Sequence, residues 1–411
     1  MAILKTSRFN QSVGLLIGII LIAISLRSPI TGVGPLLEQI RLQLDLSATQ
    51  AGWLTTLPLL AFALFSPIAT MLGRKRGLEQ ALMLSLMLLL VGILVRSWGT
   101  VSTLFGGTLI IGGGIAISNV LLPGLIKRDF PGKITTITAI YTLTMGVGSF
   151  ISASMAIPLM QVAESARLTF IPGWAFSLGG ILIFPIIGIV IWLPQLKKHT
   201  APARDTPEIE SHGYLWRSPI AWQVTLFLGL NSLLMYIFIC WLPTILVDSG
   251  YSESQAGFIH GLLQLFTALP AFILIPLMAR VKDKRAICMM MPLMAFASIT
   301  GLLLAPSMAI LWASIFGFGA GGGFILALAL VSLRTTCAHQ AAGLSGMAQL
   351  VSYLLAAAGP VTMGSLHEQQ GSWTLPLILC LGCTLAWFAM SLFASKSSLL
   401  TRERVSQPQY A

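Results

Sequence analysis

The sequence predicts an all-α integral membrane protein whose twelve membrane-spanning helices form two six-helix halves. Three observations carry that prediction. Hydrophobic residues make up 56% of the 411-residue chain and charged residues only 9%, with a mean hydropathy of +0.87; a soluble chain carries about 25% charged residues. Twelve apolar stretches are long enough to cross a bilayer, which takes about 20 residues each. Short motifs also recur in the same order in both halves of the chain.

The stretches fall near 13–36, 52–73, 78–97, 103–126, 135–160, 173–194, 221–245, 254–279, 286–305, 308–331, 341–365 and 373–395. The first is too long for a cleaved signal peptide, holds Arg27 and lacks a small-residue cleavage site before a soluble domain, so it is expected to be a true span. The fourth and tenth carry glycine runs, Gly112-Gly113-Gly114 and Gly321-Gly322-Gly323. The twelfth contains Cys380-Leu-Gly-Cys383, whose C-x-x-C spacing inside an apolar helix reads as packing rather than redox or metal chemistry. The charged, Pro-containing stretch 195–220 reads as a linker between residues 1–194 and 221–395, and 396–411 as a tail.

The charges set the topology. Segments on the side of the termini hold 20 of the 24 Lys and Arg, and the opposite loops hold Arg41, Arg96 and Arg167. By the positive-inside rule both termini, the linker and the tail are expected to be cytoplasmic. The formal charge of +11 then reflects topology and calls for no nucleic-acid partner.

The repeat strengthens the division into halves. Pro35-Leu-Leu-Glu-Gln-Ile and Ser47-Ala-Thr-Gln-Ala-Gly52 precede a span ending in Arg74-Lys75-Arg76. Pro243-Thr-Ile-Leu-Val-Asp and Ser252-Glu-Ser-Gln-Ala-Gly257 precede one ending in the basic run 280–285, with the two S-x-x-Q-A-G copies 205 positions apart. Ser47 and Ser252 can each cap the helix that follows by accepting from its free amides. Gly317, Gly319, Gly321 and Gly323 have the small-xxx-small spacing that lets helices approach closely in lipid.

Arg27 is the candidate functional residue of greatest weight. It lies about fifteen residues into its span, or roughly 22 Å at 1.5 Å per residue, in a stretch with no acidic residue. A charge at that depth normally faces a protein interior or water-filled cavity and marks a binding site or pathway. The alternative is that it reaches the outer interface, if the helix begins early.

These motifs resemble those of the cyanate permease and 2-nitroimidazole exporter family of the major facilitator superfamily. The resemblance rests on Leu26-Arg27-Ser28-Pro29-Ile30-Thr31-Gly32, Leu54-Thr55-Thr56-Leu57-Pro58-Leu59-Leu60 and Leu121-Leu122-Pro123-Gly124-Leu125-Ile126-Lys127-Arg128. It continues through Trp216-Arg217-Ser218-Pro219, Gly250-Tyr251-Ser252-Glu253 and Ala338-His339-Gln340-Ala341-Ala342, and is nearer the nitroimidazole-exporter branch. It implies the major facilitator fold, with spans 1, 4, 7 and 10 around a central pathway and 2, 5, 8 and 11 beside them. Two features depart from the superfamily: Gly73-Arg74-Lys75-Arg76-Gly77 has no acidic residue, and the Gly-Pro pair falls at Gly359-Pro360 in the eleventh span rather than the fifth.

With that arrangement, helical spacing puts Arg27 with Thr31, Gln223 and Phe227 with Asn231, His260 and Gln264 with Thr267, and Ser345 and Gln349 with Ser352, while Tyr353 is adjacent and Asn119 and Tyr141 are polar candidates on spans 4 and 5. Rings with a hydroxyl suit both packing and planar ligands. The expected substrate-binding wall is Arg27, Thr31, Asn119, Tyr141, Asn231, Gln264, Gln349 and Tyr353, with His260 the one histidine considered for proton coupling. Each polar residue also has a plainer reading as an interhelical hydrogen bond. No acidic residue lies in the central part of a span, which argues against a carboxylate proton relay. A lone positive charge suits a small anion or a polar planar molecule, because the guanidinium fork matches carboxylate-like or nitro oxygens. The expectation is a secondary active transporter of the bacterial inner membrane working by alternating access. It is expected to act as a monomer, with no cofactor, metal or catalytic residue, on a small-molecule substrate. The favoured reading is an exporter of 2-nitroimidazole-like compounds; the alternatives are a cyanate or other small-anion permease, and then a channel or membrane sensor. The chain has no H-E-x-x-H motif for an intramembrane enzyme and no phosphate loop for an ATP-driven pump.

Overall fold

The computed structural model describes residues 2–130, 133–167, 170–197, 215–281, 283–335 and 338–395; most of the expected linker and the tail 396–411 lie outside the described residues. Among the described residues fifteen α-helices build twelve spans, because spans 1, 6 and 8 are each made of two helices. Span 1 is Ala2–Thr31 followed by Val33–Gln43, and span 8 is Glu253–Phe266 followed by Pro270–Arg280. The recurrent Pro35 and Pro243 strings prove to be helix, extending spans 1 and 7 beyond their expected ends at 36 and 245. Apolar runs stop at the first charge. The helix continues because Leu36, Leu37 and Ile40, on either side of Glu38, are still buried.

Spans 1–6 pack among themselves, as do spans 7–12, and the halves meet chiefly where span 2 lies on span 11 and span 5 on span 8. Both copies of S-x-x-Q are full capping boxes: the Ser47 and Ser252 hydroxyls accept from the amides of Gln50 and Gln255, whose side chains accept in return. The glycines act as expected. Cβ atoms on Gly317 and Gly321 would collide with the carbonyl oxygens of Leu263 and Thr267, so span 10 lies directly on the span 8 backbone. We expect Gly321→Ala to cost about 1–3 kcal/mol by overpacking, read as a lowered melting temperature of the purified protein.

The two breaks have a common cause in proline. Pro35 has no N–H to give the Thr31 carbonyl, and Pro270 none to give Phe266. At the first break, carbonyls are taken up by neighbouring spans: Ser152 Oγ donates to Ser28 O at 2.7 Å and Arg96 Nη1 to Pro29 O at 2.5 Å. Arg96 therefore does not belong with the loop residues, where its charge was counted. It is the last residue of the helix Leu78–Arg96, only 1% exposed, and it braces span 1 from within. The acidic residue missing from the Gly73–Gly77 loop is also supplied nearby: buried Glu79 accepts from Arg128 Nη2 at 2.7 Å.

The halves are closed at one end and separate at the other. The end bearing Arg76, Lys127, Arg128, Arg280 and Arg334 is here the basic end. Toward the opposite end the halves touch through Gln39 Nε2 donating to Glu253 at 2.6 Å, Thr56 donating to Ala357 O at 2.7 Å, and an edge-on Phe150–Phe258 pair. Among the described residues six glycines form the seam between them. Gly34 faces Ile239 O and His260, Gly52 faces Pro360 O, and Gly146 faces Ala268. Gly257 faces Ala153 O, Gly261 faces Phe150 and Ser154, and Gly364 faces Ala48 O. Toward the basic end, Arg128 pairs with Glu79 and Asp129 inside one half and Arg334 donates to Ala394 O inside the other.

Candidate functional site

Where the seam ends, partly exposed polar side chains from both halves gather around a space called here the chamber. Arg27 sits at its closed end on span 1, partly exposed, and its Nη1 donates to Thr267 Oγ1 across the halves at 3.1 Å. Three partly exposed tyrosines lie within electrostatic range of its charge: Tyr141 on span 5, Tyr236 on span 7 and Tyr353 on span 11. The chain has six tyrosines, and these are the three that lie within spans. Tyr141 OH donates to Asn119 Oδ1 of span 4 at 3.4 Å, and Phe62 of span 2 meets the Tyr353 ring edge-on at 5.7 Å. Gln349, partly exposed one turn before Tyr353, donates to Ser345 Oγ at 3.0 Å.

Five of the eight expected wall residues, Arg27, Asn119, Tyr141, Gln349 and Tyr353, thus lie together or on the turns beside the chamber. Three are placed elsewhere. Thr31 is 1% exposed and donates to the carbonyls of Arg27 and, at 3.5 Å, Ser149 on span 5, so it ties spans 1 and 5 together. Asn231 is 2% exposed and lies against Gly323 of span 10, beside Trp387 of span 12, on the far side of span 7. Gln264 is buried under the chamber, its amide nitrogen 3.0 Å from His260 Nε2. His260 is 0% exposed, with its ring against Gly34 of the other half. It is a seam residue two turns inside its helix.

Sequence reasoning missed Tyr236 and Thr267. Tyr236, like Tyr141 and Tyr353, is a ring carrying a hydroxyl within a span. Thr267 shares a helix face with Gln264, and its position at the span 8 break could be seen from Pro270.

Chemically, the chamber offers one fixed positive charge, several hydroxyl donors and flat aromatic walls. No Asp or Glu interacts with Arg27 among the described residues, so the guanidinium keeps free donors for an anionic or acceptor-rich ligand. No group of three or more His, Cys, Asp or Glu able to hold a metal occurs among the described residues. A separate groove of about 600 Å³, lined by Phe266, Met294, Ile310, Leu311 and Ile315, is apolar and lies on the exposed outer face of spans 8–10, away from this chemistry.

Residues 15–360 match the Major Facilitator Superfamily. The chain is 48% identical to the 2-nitroimidazole transporter of Escherichia coli (strain K12), over 89% of this chain and 91% of that one. It is 26% identical to the cyanate transport protein CynX of the same organism, over 88% and 92%. Among solved structures, a bacterial homolog of the human lysosomal transporter Spinster, inward-facing and unoccupied, superposes with a TM-score of 0.69 at 16% identity, covering 93% of this chain and 96% of that one. The D-xylose-proton symporter gives 0.70 at 12% identity, over 94% and 99%. At such identities these structures speak to the fold alone. The chain belongs to the Major Facilitator Superfamily, as a multi-pass membrane transporter of its cyanate permease and 2-nitroimidazole exporter family.

Proposed function

We propose that this carrier exports small planar aromatic molecules bearing an acceptor group, of which 2-nitroimidazole is the first candidate, from the cytoplasm across the bacterial inner membrane. The observation that carries this reading is the grouping of Arg27 with Tyr141, Tyr236 and Tyr353. A guanidinium suits nitro or carboxylate oxygens, and tyrosine rings suit a flat heterocycle better than a linear ion such as cyanate. Identity to the E. coli 2-nitroimidazole transporter supports the same choice. The positive-inside rule makes the basic end cytoplasmic, so the chamber opens inward and can load from the cell interior. Spans 1–6 and 7–12 then rock about the chamber, the glycine seam parting as the basic end closes. The protein acts as a monomeric carrier rather than an enzyme, and its remaining binding groups are Asn119, Gln349 and Phe62.

The test is intracellular accumulation of 2-nitroimidazole in cells expressing wild type, Arg27→Ala or empty vector. The expected result is lower accumulation with wild type alone. Equal accumulation in all three would remove this substrate and the export direction, and cyanate uptake would be measured next in the same cells.

A further inference from the structure

We propose that Thr267 competes with the substrate for Arg27, so that the hydrogen bond between them latches the empty carrier and substrate binding releases it. The inference rests on the reading that Arg27 holds the substrate. Side-chain hydrogen bonds cross between the halves from Gln39, from Thr56, between Thr55 and Cys240, and from Arg27. Only the last lies in the chamber, and only it uses a group able to bind the substrate.

Thr267 is built for the role. Its hydroxyl proton is committed to Gln264 O at 2.7 Å, which leaves the oxygen lone pairs for Arg27. It occupies the turn where span 8 breaks before Pro270, and its backbone is pinned by Gly321 of span 10. One turn back, Gln264 is held by His260, whose ring rests on Gly34 of the seam. A single polar path thus runs from the chamber arginine through span 8 to the contact that closes the far end.

A hydroxyl is a neutral acceptor, whereas a nitro or carboxylate group carries more negative charge on its oxygens. Charge-assisted hydrogen bonds are roughly twice as strong as neutral ones. The ligand therefore takes Arg27 from Thr267, and the halves lose their one chamber-level bond. A ligand shifts a conformational balance only through unequal affinity for its states, and here the inequality arises because binding removes a contact of the closed-seam form.

The experiment uses purified full-length protein in liposomes, as wild type, Thr267→Val and Thr267→Ser. Valine keeps the shape and β-branching and loses the acceptor; serine keeps it. The expected result is a Kd for 2-nitroimidazole about fivefold to tenfold tighter in Thr267→Val, with slower substrate-stimulated turnover relative to KM, and wild-type behaviour in Thr267→Ser. Independently of any ligand, a cysteine replacing Ala48 at the seam should label with an impermeant maleimide several times faster in substrate-free Thr267→Val than in the substrate-free parent. Unchanged labelling and an unchanged or weaker Kd in Thr267→Val overturn the latch. A wild type that binds no 2-nitroimidazole overturns the substrate assignment instead, and the substrate-free labelling then decides the latch alone.

Discussion

Arg27→Ala is expected to abolish transport while the protein inserts and purifies normally. Truncating one partner of a desolvated charged contact costs about 2–5 kcal/mol, so flux should fall by more than about a hundredfold at 1.4 kcal/mol per tenfold. Folding should not suffer. Arg27 makes one side-chain hydrogen bond, to Thr267, and alanine removes a charge that is costly within the bilayer. Arg27→Lys keeps the charge and loses the planar fork, and should fall about tenfold short of wild type. The measurement is initial flux in proteoliposomes matched for protein content. Wild-type flux in Arg27→Ala would overturn the assignment of the chamber as the substrate site.

Gly34→Ala should trap the carrier with its seam open. A Cβ at Gly34 would come within 2.7 Å of the Ile239 carbonyl oxygen and 2.8 Å of the His260 ring. Overpacking of this kind costs about 1–3 kcal/mol, and it acts only in the conformation where the halves touch. The gain in helix propensity applies to both conformations and cancels. The balance should therefore move about tenfold toward the outward-open form, seen as faster maleimide labelling of Ala48→Cys together with lower turnover. If Gly34→Ala labels at the parental rate, the seam is not a contact confined to one state.

Spans, repeat and caps were legible because each leaves a local trace. Mean hydropathy finds the helices, and Ser47 and Ser252 stand where their amides need acceptors. The break in span 1 was not read, although Pro29 and Pro35 flank it, because an apolar window registers composition and not a missing N–H. The chamber was half legible. Arg27 announces itself as a charge in lipid, and Tyr141 and Tyr353 as amphipathic rings. For Asn231 and Thr31, polarity alone does not say which neighbour satisfies it. Asn231 turns toward span 10, and the short Thr31 side chain finds the carbonyl of Ser149. Helical spacing aligned Thr31 with Arg27 correctly along the axis, but the break at Gly32 follows at once and span 5 closes over it. Such choices depend on rotation about each helix axis, which contacts between distant segments decide.

Arg96 has a consequence for how the chain enters the membrane. Its guanidinium is sealed inside the bundle, and the one acceptor it finds among the described residues is the carbonyl that span 1 frees at its bend. A lone arginine at the middle of an inserting helix costs roughly 2.5–3.5 kcal/mol on the translocon scale, less toward its ends. That debt stays with the third helix until the first is beside it. The first helix in turn carries an exposed carbonyl until the third arrives. Biogenesis of the N-terminal half is therefore a joint event between segments some seventy residues apart: neither helix is a finished membrane segment before the ribosome has delivered both.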